Sequence, residues 1–378
     1  MHIEFGTSRT GRTSRTSLTA EGLRLNENLA VLDIHCKFAV DSRDGIVFGK
    51  RKQQESMEND LTKGAARFAP SPSGRMHLGN AFTALISWLS ARKAGRRWIL
   101  RIEDLDPQRS KQQYALQIED DLRWLGLDWD EGGTAGRGPS GPYSQSLRGE
   151  IYNAMLERLR EQGVLYPCFC KRADIMATQA PHQTDGRIVY AGTCRPERMA
   201  AGESERRAMT EPHAFRVRVP DEEISFTDRV FGRRSVVLAD HCGDFVVRRA
   251  DGAWAYQLAV VADDALMGVT EVVRGCDLLL STAQQLYLYR LLGFEAPEFA
   301  HVPLLVNEAG QRLSKRDASA SLGSLRERGV KPQAVIGRLA CAAGIIDRPE
   351  PVEAAEIIGG MDWSKIKAQE AILTPPVD

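Results

Sequence analysis

The chain has 378 residues, 43% of them hydrophobic and 26% charged, with 50 Lys and Arg against 50 Asp and Glu. That length buries a full core and implies more than one domain. The balanced charge excludes a global basic field directed at nucleic acid, so any RNA contact must come from local patches. No apolar run approaches the roughly 20 residues of a bilayer span, and the seven cysteines, three of them clustered, fit a reducing cytoplasm and a metal site rather than a disulfide framework.

Residues 1–65 differ from the rest. They open on Ser, Thr, Arg and Gly, pass through an apolar patch at 30–40 and end in a polar run at 50–63. The expectation is a disordered extension, with Met57 an alternative start to Met1. No apolar core followed by a cleavage site is present, so a secretory signal is not expected.

From residue 66 the pattern alternates. A strand over 66–69 is followed by the turn Pro70-Ser71-Pro72-Ser73-Gly74, a helix over 77–94, a strand over 98–102 and an amphipathic helix over 110–125. A βαβα order implies a parallel sheet with crossover helices. A glycine-rich loop occupies 131–141, and 147–162 reads as helix. Residues 166–240 carry cysteines, arginines and prolines with short strands, the character of an insertion. The doubly wound pattern resumes at 244–249 and 254–263, then 268–274 and a helix over 280–292. The expected fold is α/β, a Rossmann-type parallel sheet in two halves (66–165 and 241–325) with an inserted zinc-binding subdomain at 166–240. A short helical C-terminal region follows at 326–378, with helices at 331–344, 352–358 and 362–371.

Strand, tight turn and helix start aim backbone N–H groups and a positive helix end at a phosphate. His77 stands where turn becomes helix, and Gly79 leaves room for a ligand against the backbone. Far along the chain, Gln311-Arg312-Leu313-Ser314-Lys315-Arg316 offers a compact cation in Lys315 and a hydroxyl in Ser314, a good phosphate clamp. Taken singly, the first segment reads equally as a Gly/Pro loop with a helix-capping histidine, and the second as a solvated basic loop.

Together the two segments resemble the signature pair of the class I aminoacyl-tRNA synthetases. Residues 70–80 match the first signature, with Asn80 in place of its final histidine. Residues 312–316 match the second, with Arg312 for its first lysine and Arg316 for its last serine. Arg67-Phe-Ala-Pro-Ser-Pro-Ser-Gly74, Leu100-Arg-Ile-Glu-Asp-Leu-Asp106, Tyr256-Gln-Leu and Val273-Arg-Gly-Cys-Asp-Leu278 follow the order of the glutamyl branch over about 66–330.

The resemblance implies L-glutamate bound by Arg67, Ser71, Glu103, Tyr256 and Arg274. It also implies ATP held by Pro70, Gly74, His77, Gly79, Asn80, Ser314 and Lys315, with His77 and Lys315 stabilising the phosphates during catalysis. Magnesium is expected with ATP, without a dedicated carboxylate cage. A dicarboxylic amino acid does need a fixed guanidinium, a carboxylate for its ammonium and an orienting hydroxyl. The competing reading places Arg67 and Arg274 in structural salt bridges with Glu103 or Asp277.

Cys168, Cys170 and Cys194 supply three thiolates, and tetrahedral zinc wants a fourth ligand. His182 is the conventional candidate from chemistry alone. One shorter branch of the family, which glutamylates queuosine in the anticodon of tRNA(Asp), carries Cys-x-Cys followed by Tyr-x-x-x-Cys. Resemblance to it selects Tyr190, giving one structural zinc on Cys168, Cys170, Tyr190 and Cys194. The short stretch after Lys315 points the same way, because the glutamyl branch proper carries a large helical anticodon-reading domain there. The expectation is therefore a cytoplasmic monomer that activates glutamate without tRNA and transfers it to queuosine-bearing tRNA(Asp). The alternatives are a truncated synthetase charging a tRNA 3′ end, a small-molecule adenylate ligase and a non-catalytic binding paralogue. Cys36, Cys242, Cys276 and Cys341 read as small apolar residues, and Trp124, Trp129, Trp254 and Trp363 as core or interface residues.

Overall fold

The computed structural model describes residues 63–171, 189–307, 310 and 321–373. Residues 1–62 of the extension expected over 1–65, with Met57, lie outside the described residues, as do His182 and the basic segment containing Arg312, Ser314, Lys315 and Arg316. Ala65, at the end of that expected extension, already belongs to the first strand. In chain order the strands are β1 (Ala65–Phe68), β2 (Arg97–Leu100), β3 (Glu131–Gly132), β4 (Leu165–Cys168), β5 (Ala214–Val217), β6 (Glu223–Asp228), β7 (Gly232–Val237), β8 (Phe245–Arg248), β9 (Val269–Gly275), β10 (Glu298–Val302), β11 (Leu305–Val306) and β12 (Ala371–Ile372). The helices used below are α1 (Leu78–Ala94), α2 (Gln112–Trp124), α3 (Gly149–Glu161), α4 (Glu203–Thr210), α5 (Tyr256–Leu266), α6 (Ser281–Leu292), α7 (Leu322–Glu327) and α8 (Pro332–Ala342).

A seven-stranded sheet runs β3-β2-β1-β9-β10-β6-β7. β1 lies between β2 and β9 and is parallel to both. The chain leaves β1 toward β2 and β3 on one side, while β9 and β10 continue on the other. This reversal of strand order opens a crevice at the carboxyl ends of β1 and β9.

Strand alternation divides the core between the two faces of this sheet. Ala66, Phe68, Trp98 and Leu100 join the cluster that includes Phe82, Leu85, Leu122 and Leu339. Ala65, Ile99 and Val272 join the other, which includes Leu156, Leu258 and Leu288. On that second face the side chains turn from apolar to charged toward the carboxyl ends: Ala65 is followed by Arg67, Ile99 by Arg101 and Glu103, and Val272 by Arg274. The same alternation that builds the core thus delivers the charges to the crevice. Helix α3 shows the packing logic plainly, since Tyr152, Met155, Leu156 and Leu159 are buried at spacings of one helical face. Gly95 closes α1 in the left-handed region at φ 65°, its N–H bonded to Ala91 and Arg92 carbonyls.

Several elements differ from the sequence expectation. β8, expected to resume the large sheet, pairs antiparallel with β5 in a separate three-stranded sheet, β4-β5-β8. β6 and β7, from the expected insertion, instead complete the edge of the large sheet: Asp228 pairs with Phe299 of β10, and β7 runs antiparallel to β6. Edge hairpins with one wet face carry polar residues freely, so their sequence does not read like a buried parallel strand. β10 is not expected from the sequence because it is a five-residue strand between Pro297 and Pro303, and β3 adds two residues of pairing inside the expected loop. In the tail, residues 362–371 are not helical. A 3-10 turn at Trp363–Lys365 leads to β12, which pairs parallel with β11. Among the described residues no helix is long and apolar enough to cross a membrane.

Candidate active site

A cavity of about 910 Å³ opens at the β1–β9 crevice. Its walls bring together Arg67, Ser71, Glu103, Tyr256 and Arg274, and with them Pro70, Gly74, His77, Gly79 and Asn80. Every expected pocket residue among the described residues therefore faces one space. Ser314 and Lys315 lie outside them, but the flanks of their segment reach the cavity: Pro303, Leu304 and Leu305 line it, and Ser321 pairs with His77.

The turn after β1 is fixed by backbone hydrogen bonds. Glu103 N–H donates to the Pro70 carbonyl at 3.1 Å and Lys111 N–H to the Pro72 carbonyl at 3.0 Å. His77 is the N-cap of α1 in an extended conformation. Asn80, expected to reach a phosphate, accepts the His77 backbone N–H through Oδ1 at 3.4 Å, a capping role at the third helical position. Gly79 also differs in its reason. A Cβ there would come 3.1 Å from Cε1 and Nδ1 of His77, so the room it leaves is filled by the imidazole. Gly74 is the glycine open to the cavity, since a Cβ added there would meet nothing within 4 Å.

Behind the cavity lies a buried ion network centred on Asp263 and Asp264 of α5. Arg67 meets Asp264 at 3.3 Å and donates to the Val273 carbonyl at 3.3 Å. Arg101 reaches Asp264 at 2.6 Å and Glu103 at 3.2 Å. Arg148 meets Asp263 at 2.6 Å, and Gln145 and Tyr152 donate to the same carboxylate. Burial works to raise the Asp264 pKa, but Arg101 and Arg67 overcome it and hold the carboxyl below the ordinary range. At Glu103 burial wins over Arg101 and Arg67, and its carboxyl sits above the ordinary range. Burial, with Glu103 adding to it, pushes the Tyr256 phenol up to about 12. Arg67 is thus ion-paired, though with neither Glu103 nor Asp277 but with Asp264, which sequence reasoning missed. Its available signal was two adjacent acids inside the apolar run Ala259–Leu266.

Arg274 is held differently. Its guanidinium donates to His301 Nε2 at 3.0 Å, Gln285 Oε1 at 2.7 Å, Thr282 Oγ1 at 2.8 Å and the Leu278 carbonyl at 3.5 Å. Among the described residues all these acceptors are neutral, and Asp277 is not one of them. Burial lowers the Arg274 pKa from its ordinary value. A guanidinium oriented but not neutralised is built to receive an anion.

Beside the three-stranded sheet, at the end of β4, Cys168, Cys170 and Cys194 place their sulfurs within 4.8 Å of one another. The Tyr190 hydroxyl lies 3.4 Å from Cys168 and 4.0 Å from Cys170, so the four donors expected from the sequence converge. Arg216 donates to Cys168 Sγ at 3.1 Å and stacks over Tyr190. Hydrogen bonding from Cys168 draws the Cys194 thiol down to about 6. Three thiols and a phenol oxygen from a close pair and a distant pair suit a tetrahedral zinc ion. Gly243 seals this arrangement: a Cβ there would clash with the Tyr190 carbonyl oxygen. Of the tryptophans, Trp254 lines the cavity rather than only packing behind it, with Arg248 stacked at 4.7 Å.

Comparison with known proteins matches residues 64–367 to the family described as tRNA synthetases class I (E and Q), catalytic domain. A protein of Symbiobacterium thermophilum named glutamyl-Q tRNA(Asp) synthetase is 52% identical over 305 residues, 79% of this chain and 93% of that protein. One of the same name from Nitratidesulfovibrio vulgaris is 46% identical over 310 residues, 82% of this chain and 95% of that protein. Among solved structures, a glutamate tRNA ligase of Elizabethkingia meningosepticum in complex with its amino acid superimposes with a TM-score of 0.72 at 32% identity, covering 82% of this chain and 67% of that one. The chain therefore belongs to the class I tRNA synthetases of the E and Q type, in the family of the glutamyl-Q tRNA(Asp) synthetases, and is an enzyme of the ligase class.

Proposed function

We propose that this enzyme activates L-glutamate with ATP in the absence of tRNA and transfers the glutamyl group to queuosine in the anticodon of tRNA(Asp). The observation that carries the activation step is Arg274, a buried cation with neutral acceptors facing the cavity that also holds Glu103 and the α1 N-terminus. Arg274, Arg67, Ser71 and Tyr256 suit the carboxylates and backbone of glutamate, and Glu103 suits its ammonium. The glutamate α-carboxylate attacks the ATP α-phosphorus. A carboxylate oxygen–phosphorus bond forms, and the bond to the bridging oxygen breaks as pyrophosphate leaves. His77 and Lys315 stabilise charge on the phosphates, assisted by N–H groups of the 73–79 turn. Magnesium would enter with the ATP phosphates. A queuosine hydroxyl then attacks the activated carbonyl and AMP departs.

The names and near-complete coverage of the Symbiobacterium and Nitratidesulfovibrio relatives support queuosine as acceptor. Transfer assays with tRNA(Asp) carrying or lacking queuosine test it. Labelled glutamate is expected only on the queuosine-bearing tRNA, and equal charging of tRNA(Glu) would favour 3′-end aminoacylation instead.

Zinc on Cys168, Cys170, Tyr190 and Cys194 would be structural, tying the three-stranded sheet to the loop that carries Tyr190 and Cys194. Plasma mass spectrometry is expected to find one zinc per chain. Cys170→Ser and Cys194→Ser should lose it and melt several degrees lower. Metal-replete protein containing no zinc would rule the ion out.

A further inference from the structure

Arg274 depends for its aim on two residues that do not line the cavity. His301 of β10 and Asp228 of β6 are both fully buried, with 0% and 1% exposure. His301 Nδ1 lies 2.6 Å from Asp228 Oδ2, and Arg274 Nε lies 3.0 Å from His301 Nε2. Arginine can only donate and an ionised carboxylate can only accept. The imidazole between them is therefore neutral, with its proton on Nδ1 and a bare lone pair on Nε2. Burial lowers the His301 pKa despite the Asp228 hydrogen bond, and Arg274 adds to the fall. Asp228 is itself fixed by the backbone N–H groups of Val230 at 3.0 Å, Phe231 at 2.9 Å and His301 at 3.1 Å.

The choice of a histidine has a consequence for charge. A carboxylate beside Arg274 would orient it equally well but would cancel its charge and compete with a substrate anion. An imidazole passes on the orientation set by Asp228 while keeping that negative charge one ring away. The remaining acceptors follow the same rule, since Gln285 Oε1 is turned toward Arg274 because Gln285 Nε2 donates to Gln257 Oε1 at 2.8 Å.

We propose that Asp228 and His301 form a positioning relay that holds the Arg274 guanidinium toward the cavity un-neutralised, and so sets the affinity for glutamate and its selection over glutamine. The relay rests on the reading of the cavity as a glutamate site. It also gives the β6–β7 hairpin, expected from sequence to belong to an insertion, a part in substrate recognition.

The test is glutamate-dependent ATP–pyrophosphate exchange by the full chain and two variants. His301→Ala is expected to raise the glutamate KM about tenfold, the scale of a lost hydrogen bond to a charged group. The ATP KM should stay unchanged, and the preference for glutamate over glutamine should fall. His301→Gln should recover most of the loss, because its amide can accept from Arg274 and donate to Asp228. Equal effects on both substrates, or an unchanged glutamate KM in folded His301→Ala, would overturn the relay. Nitrogen-15 histidine spectra of the unmodified protein supply a readout that does not depend on a variant folding. They should show His301 neutral and protonated on Nδ1, and a proton on Nε2 contradicts the relay. No glutamate-dependent exchange by the unmodified enzyme would instead count against the proposed function, leaving the tautomer to be judged separately.

Discussion

Arg274→Gln is expected to lower kcat/KM for glutamate about 100-fold without lowering the melting temperature. Removing one partner of a desolvated charge pair costs about 2–5 kcal/mol, and each 1.4 kcal/mol or so is a factor of ten. The loss should fall on the glutamate KM first, since the proposed role of Arg274 is to meet the amino acid rather than the phosphates. Arg274→Lys should recover only part of it, because an ammonium lacks the guanidinium fork. The stability half of the prediction follows from the neutral acceptors around Arg274. In the free enzyme this buried charge has no counter-ion among them, so losing it removes a desolvation cost. That gain offsets the hydrogen bonds lost to His301, Gln285 and Thr282, part of which the glutamine amide replaces. Activity lost with stability kept or gained is the mark of a charge held for a ligand. A variant that melts well below the unmodified protein would make Arg274 a structural residue.

Asp264→Asn should do the reverse and cost about 3–5 kcal/mol of stability, because it strands Arg67 and Arg101 in the interior. Both guanidiniums approach Asp264, at 3.3 Å and 2.6 Å, and all three side chains are buried. Urea denaturation of the two proteins at neutral pH measures the difference. The pH dependence has a definite sign. The folded-state pKa of Asp264 lies below its unfolded value, so its contribution is complete above the ordinary carboxylate range and fades as pH falls through the depressed folded value. The gap between the two proteins should therefore narrow in acid. A gap that is constant with pH, or absent at pH 7, would contradict the ion network around Asp264.

Much of this site can be read from the chain because its chemistry is local in sequence. The turn from Pro70 to His77 and the successive elements from β1 to α2 follow from strand and helix periods, and their observed bounds fall within two residues of expectation. The Cys168 and Cys170 thiols are likewise close in sequence and Cys194 follows within the same segment, although spacing and thiol chemistry alone leave His182 open beside Tyr190. What cannot be read depends on which strand neighbours which. Phe245–Arg248 has the alternation of any half-buried strand, and nothing in those four residues names β5 as its partner. Asp228 and His301 meet only because β6 lies beside β10, 73 residues apart in sequence. Asn80 and Gly79 line the cavity where the ligand is expected and also serve the helix cap and the His77 ring, contacts that the sequence alone does not reveal. Asp264 can be suspected from two acids in an apolar helix, but its service to Arg67 and Arg101 requires the sheet.

The roles proposed for Arg274, His77 and Lys315 rest on one proposed reaction, formation of a glutamyl-adenylate in this cavity unaided by RNA. ATP–pyrophosphate exchange with glutamate and no tRNA measures that reaction alone. Exchange is expected to require glutamate, to find no support from aspartate and to collapse in Lys315→Ala. Exchange that appears only when tRNA is added, or that proceeds in Lys315→Ala at the unmodified rate, would contradict it.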